Sequence, residues 1–213
     1  MSAFEVTSTT ALLVIDVQND FCPGGNLGVD EGDKIIPTVN AVSRRFPLVV
    51  ATKDWHPHGH VSFASTHPGR EVQDTVRIGD IDQILWPDHC VQGTSGAEFH
   101  PDLDVRPINL VLHKGTKQNL DSYSAFFEND AHTETGLRSL LEGLGFDRVV
   151  VCGLAADVCV YFTAVDARRI GFETAVLWDA TKGVDIPAGS VDEARRDMEN
   201  HQVRFIDSSE ITA

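Results

Sequence analysis

Cysteine, aspartate, lysine and histidine carry much of hydrolytic chemistry, and this chain of 213 residues places them where apolar runs end. The stretch Arg148 to Val160, RVVVCGLAADVCV, reads as a buried strand, a turn at Gly153 and a helix with Asp157 as its N-cap. Cys159 then falls in the first helical turn, where unpaired N–H groups and partial positive charge favour a thiolate. A buried free cysteine is also a common small hydrophobe, so this stretch alone leaves both roles open. Asp16 closes the run TALLVIDV, and Lys114 closes another that begins at Ile108. Singly, Asp16 is a turn former and Lys114 a solvated strand end. Together they supply a cation that lowers a thiol pKa and a base that returns its proton to a leaving group. That is the chemistry of a cysteine amidase or acyl-transfer hydrolase.

A second cluster, DWHPHGH from Asp54 to His60, is followed by WPDHC from Trp86 to Cys90. Asp54 and His56 alternate by two, and Pro57 biases His56 toward extended backbone, so both point the same way. With His89 they make a carboxylate and two imidazoles, a set that leaves coordination positions open as catalytic sites do. Such O/N ligation suits zinc, manganese or iron. His60 shares the parity of His56 and is a further candidate, His58 reads as a solvated loop histidine, and Cys90 reads as buried.

Positioning these groups requires a sheet. Thr10 to Val17, Leu48 to Thr52, Ile108 to Lys114, Val149 to Cys152, Thr174 to Trp178 and Val203 to Ile206 read as six short buried strands. Helices are expected from about Asp33 to Phe46, with Pro37 in its first turn, around Leu137 to Leu144, after Cys159, and after a Ser190/Glu193 capping box. Strands separated by helices and long crossovers predict an α/β fold: a single domain spanning 1–213, with a mostly parallel six-stranded sheet and helices on both faces. A long loop-rich insertion from about Asp54 to Pro107 separates strands two and three and holds six of the nine histidines. Ligands of such sheets bind outside the carboxyl ends of the strands, where Asp16, Asp54, Lys114 and Cys159 all fall. Cys152 and His113 precede sheet-edge residues and are expected to face the core.

The formal net charge of -15 argues against an electrostatic grip on nucleic acid or an anionic membrane. MSAFEVTSTT has neither a basic n-region nor an apolar h-region, and no run is long enough to span a bilayer. Four cysteines without CxxC spacing suit a reducing cytoplasm.

Over nearly its whole length the chain resembles the nicotinamidase/pyrazinamidase family of isochorismatase-like cysteine hydrolases. The resemblance rests on VIDVQNDFCPGG, DWHPHGHVSFAS, LWPDHCVQGTSGAEFHP, KG at Lys114, DSYSAFF and GLAADVCV, in that order. It implies a catalytic triad of Asp16, Lys114 and Cys159, and metal ligands Asp54, His56 and His89, with His60 at a position some members also use. It implies one divalent metal ion, zinc first and iron or manganese as alternatives, that holds the pyridine nitrogen. Phe21, Trp86, Tyr123 and Leu154 would contact the substrate, and the amides of Ala155 and Cys159 would form an oxyanion hole beside a cis Leu154–Ala155 peptide. The implied activity is hydrolysis of nicotinamide, and also pyrazinamide, in NAD salvage, by a protein with a small-molecule substrate, no nucleic-acid or membrane partner, and a homo-oligomeric state left open. The alternative is a related cysteine amidohydrolase acting on another small carboxamide. Asp157 would disfavour a thiolate so close by, and reads as structural or pocket-shaping.

Overall fold

The computed structural model describes residues 3–212. In chain order the strands and helices are β1 (Phe4–Glu5), β2 (Thr10–Ile15), α1 (Ile36–Ser43), β3 (Leu48–Asp54), β4 (Thr75–Ile78), β5 (Ile81–Ile84), β6 (Leu110–Lys114), α2 (Leu137–Gly143), β7 (Arg148–Leu154), α3 (Cys159–Arg169), β8 (Glu173–Lys182), α4 (Ser190–Asn200), β9 (Arg204–Ile206) and β10 (Ile211–Thr212). Six strands form a parallel sheet in the order β6-β3-β2-β7-β8-β9.

Residues along each central strand alternate between two cores. Leu12, Val14, Val49, Val150 and Cys152 pack on the face covered by α1 through Ile36, Val39 and Val42. Leu13, Ile15, Val50, Val149 and Val151 pack on the opposite face beneath α2, α3 and α4, which contribute Leu141, Val160, Ala164 and Met198. Burial on both faces explains why these strands read as continuous apolar runs rather than alternating ones. Pro37 lies in the first turn of α1, where its missing N–H costs nothing.

Between β2 and β7 the order of connection reverses, and such a switch point opens a crevice at the carboxyl edge. Asp16 follows β2 and Cys159 follows β7, so the two face each other across that crevice.

Several expectations are corrected. The insertion contains an antiparallel hairpin, β4–β5, whose Gly79-Asp80 turn between short alternating runs was the available signal. The chain ends meet as a parallel β1–β10 pair, too short to show a period. Helix α3 begins at Cys159 rather than at an Asp157 cap, and Asp157 instead accepts from the Val184 and Asp185 amides and the Ser190 hydroxyl. Ser190 is thereby engaged, and α4 starts from Gly189 without the expected capping box. His113 is exposed, because β6 is an edge strand, and stacks on Trp55 with ring centroids 4.7 Å apart.

At the crevice β7 approaches β2 so closely that a Cβ on Gly153 would lie 2.1 Å from Ile15 O, and its φ of +116° is one that L-residues rarely adopt. Gly153→Ala is therefore expected to lose at least about 2 kcal/mol from strain and overpacking, read as a shift in the urea unfolding midpoint. An unshifted midpoint would contradict the close approach.

Candidate active site

Parallel pairing puts Asp54 and Lys114 in register on β3 and β6, and the site grows from that pair. Lys114 is 1% exposed. An ammonium has three protons to donate. Those of Lys114 go to Asp54 Oδ1, to Ser122 O at 3.0 Å and to Cys159 Sγ at 3.5 Å. Asp16 Oδ2 lies 2.9 Å from the same nitrogen as a buried ion pair. Its other oxygen is held by Thr52 Oγ1 at 2.6 Å. The carboxylate is thus fixed in place between Thr52 and Lys114, and candidate ligand atoms of Asp16, Asp54 and Cys159 lie within 4.8 Å of one another.

Electrostatics set the resting protonation. Burial opposes the Lys114 charge, but Asp16 and Asp54 outweigh it and hold the ammonium pKa well above its ordinary value. Burial would also raise Asp54, but Lys114 and His56 hold that carboxyl well below the usual range. Asp16 is pushed up, chiefly by burial and further by Asp54, against the pull of Lys114. Cys159 is pushed well up by burial, with Asp16 and Asp54 reinforcing it against Lys114. The expectation that lysine and a helix start lower this thiol is therefore reversed: desolvation and two carboxylates win. A resting thiol beside a carboxylate of raised proton affinity is arranged for transfer between them.

The second oxygen of Asp54 turns the other way. Asp54 Oδ2 is 3.6 Å from His56 Nε2 and 3.7 Å from His89 Nε2. His56 Nδ1 bonds Gly115 O at 2.9 Å, and His89 Nδ1 bonds Pro87 O at 2.8 Å. Hydrogen bonding of each Nδ1–H to a carbonyl leaves the Nε2 lone pairs directed at Asp54, the second-shell pattern of metal-binding histidine. The three donors fit a divalent cation. His60 stands beside this group: its nitrogens face Ser62 Oγ at 2.8 Å and Leu120 O at 3.3 Å, its ring stacks on His56, and candidate ligand atoms of His56, His60 and Asp121 lie within 4.8 Å of one another. His58 is exposed, while Cys22 and Cys90 are buried in the α1-side core.

A small, largely apolar cavity opens on Cys159. Phe21, Leu27, Trp86, Tyr123, Val158 and Val184 form its apolar walls, and Asp54, His89, Asp121 and Ala155 its polar parts. Leu154 does not line it; its side chain is fully buried in the core on the α1 side, near Gly32. The Leu154–Ala155 peptide is cis. Neither the Ala155 nor the Cys159 amide has a hydrogen-bond partner among the described residues, so two donors stand free beside the sulfur.

Supporting residues escaped the sequence reading. Gln18 pins the backbone of Asp54 from both sides, donating to its carbonyl and accepting from its amide at 2.8 Å each. Its position two residues after Asp16 was the signal. Asp20 accepts from the Cys90 amide at 2.7 Å, tying the Phe21 turn to the His89 loop. Nothing in the spacing marked Thr52, Ser122 or Asp121.

The Isochorismatase domain family profile matches residues 10–210. A curated nicotinamidase from Acinetobacter baylyi is 48% identical over 201 residues, covering 94% of each chain. Among solved structures, an Acinetobacter baumanii nicotinamidase/pyrazinamidase is similar at 48% identity and a TM-score of 0.94, covering 96% of this chain and 98% of the other. A protein from L. infantum in complex with nicotinate shares 41% identity at a TM-score of 0.87, with 99% of each chain covered. A Pyrococcus horikoshii pyrazinamidase in complex with zinc shares 38% at 0.75, covering 93% of this chain and 99% of that one.

Elemental analysis of the purified protein is expected to find about one divalent ion per chain, with His89→Ala weakening its retention against a chelator at least about a hundredfold and His58→Ala leaving it unchanged. Because thiolate grows only as pH climbs toward a raised pKa, Cys159 alkylation by iodoacetamide should still be accelerating above about pH 8.5, the ordinary thiol value. A plateau at neutral pH, followed by peptide mass spectrometry, would contradict the buried-thiol assignment.

Proposed function

The chain belongs to the isochorismatase domain family, and from that membership we propose that it is an amidohydrolase converting nicotinamide to nicotinate and ammonia through a Cys159 thioester. The observation that carries the reading is the buried Asp16 carboxylate paired with Lys114, whose ammonium also touches the Cys159 sulfur. Asp16 takes the thiol proton while Lys114 holds the developing thiolate. The sulfur attacks the carboxamide carbon, and the oxyanion is received by the free Ala155 and Cys159 amides. The C–N bond breaks as protonated Asp16 returns its proton to the departing amine, which leaves as ammonia. A water then gives a proton to Asp16 and attacks the thioester carbon; the C–S bond breaks, and the proton returns to the sulfur as nicotinate forms.

Phe21, Trp86 and Tyr123 supply flat apolar walls for an aromatic ring, and pyrazinamide, of the same shape, is accepted as well. Asp54, His56 and His89 would hold a divalent ion, zinc first as in the Pyrococcus horikoshii relative, which supplies Lewis acidity to orient the ring nitrogen. No helix among the described residues is long and apolar enough to cross a membrane. Four free cysteines fit a reducing cytoplasm, where the reaction would serve recycling of nicotinamide toward NAD.

Cys159→Ala is expected to lower nicotinate and ammonia production at least about a thousandfold with fold and metal content intact. Substantial turnover by that variant, together with loss in His89→Ala, would transfer the chemistry to metal-bound water instead.

A further inference from the structure

The hairpin β4–β5 presents nearly all its side chains at least partly to solvent, and such a ribbon has little stability of its own. Its one buried residue is Gln83, 2% exposed, an amide where a docked hairpin ordinarily buries an apolar group. Gln83 Nε2 donates to Ile84 O at 2.7 Å and to Asp121 Oδ2 at 2.9 Å, which uses both amide protons, and stands in contact with Tyr123 Oη at 3.2 Å; that Asp121 oxygen has no other hydrogen-bond donor among the described residues. The same phenol oxygen accepts from Trp86 Nε1 at 3.1 Å. Asp121, Tyr123 and Trp86 all line the cavity over Cys159. The Trp86 backbone is fixed independently, by bonds to Ser62 and Ala64 of 2.8 Å each. Gln83 therefore ties the end of β5, through the Ile84 carbonyl, to the cavity wall, through Asp121.

We propose that Gln83 is a positioning residue for ring recognition: by holding Asp121 and packing its amide against the Tyr123 hydroxyl that receives the Trp86 indole, it keeps the aromatic wall closed over Cys159. This deepens the nicotinamidase reading and rests on it. The Gln83 side chain acts through these neighbours, so its loss is felt in ring binding and in access to the sulfur, not in bond breaking.

The test compares wild type with Gln83→Met, which keeps the length without donors, Gln83→Glu, which faces a carboxylate toward Asp121, and Arg77→Ala, which removes the exposed hairpin ion pairs with Asp80 and Asp82. Gln83→Met should raise the nicotinamide KM about tenfold, as expected for the loss of a buried hydrogen bond, with kcat within about twofold. Its Cys159 should be alkylated by iodoacetamide severalfold faster at fixed pH, Gln83→Glu should exceed it on both measures, and Arg77→Ala should match wild type. Unchanged KM and alkylation in both Gln83 variants, or equal changes in Arg77→Ala, would overturn the proposal. Wild-type protein that makes no nicotinate would defeat the functional reading instead, and the alkylation comparison would still report on Gln83.

Discussion

A fully buried ammonium is the constraint on which the rest of this structure depends. Charge in an apolar interior is costly unless paired and hydrogen-bonded on every side. Lys114 meets that demand with two carboxylates, a carbonyl and a sulfur, drawn from four separate places in the chain. Strands β2, β3 and β6 must end level with one another, and the turn after β7 must bring Cys159 over them. The groups that make the lysine tolerable are the groups that would carry the reaction. Removing either carboxylate would leave the buried ammonium short of its countercharge.

Asp54 joins this arrangement to the imidazole pair by dividing its oxygens, one toward Lys114 and one toward His56 and His89. Its rotation would disturb both, which gives a physical reason for the clamp that Gln18 places on its backbone. Gly115 serves the same end: a Cβ there would meet the His56 ring at 2.4 Å, so only glycine lets the carbonyl approach and orient that imidazole. Substrate orientation and proton transfer are therefore held by one rigid cluster at the switch point of the sheet.

The two halves of the pocket were unequally legible. Phe21 and Trp86 fall beside the acidic and histidine blocks, where an aromatic residue stands out. Leu27, Val158 and Val184 are unremarkable in sequence and line the cavity only because the turn after β2, the start of α3 and the loop after β8 converge there. Asp157 shows how such convergence is secured: a residue that reads as a helix cap holds the loop bearing Val184 instead.

What the sequence determined by itself is the sheet and the inventory at its edge. Strands buried on both faces must be unbroken apolar runs, so their ends are visible, and Asp16, Asp54, Lys114 and Cys159 could be placed together from those ends alone. What only the tertiary structure decided is how these groups share protons and space. Whether His60 reaches the Asp54 cluster, which way Leu154 points and whether Cys159 rests as a thiol depend on desolvation and on neighbours far apart in the chain. Local spacing carries no record of those sums: a helix start and a lysine both argue for a thiolate at Cys159, and burial, reinforced by the Asp16 and Asp54 carboxylates, overrules them.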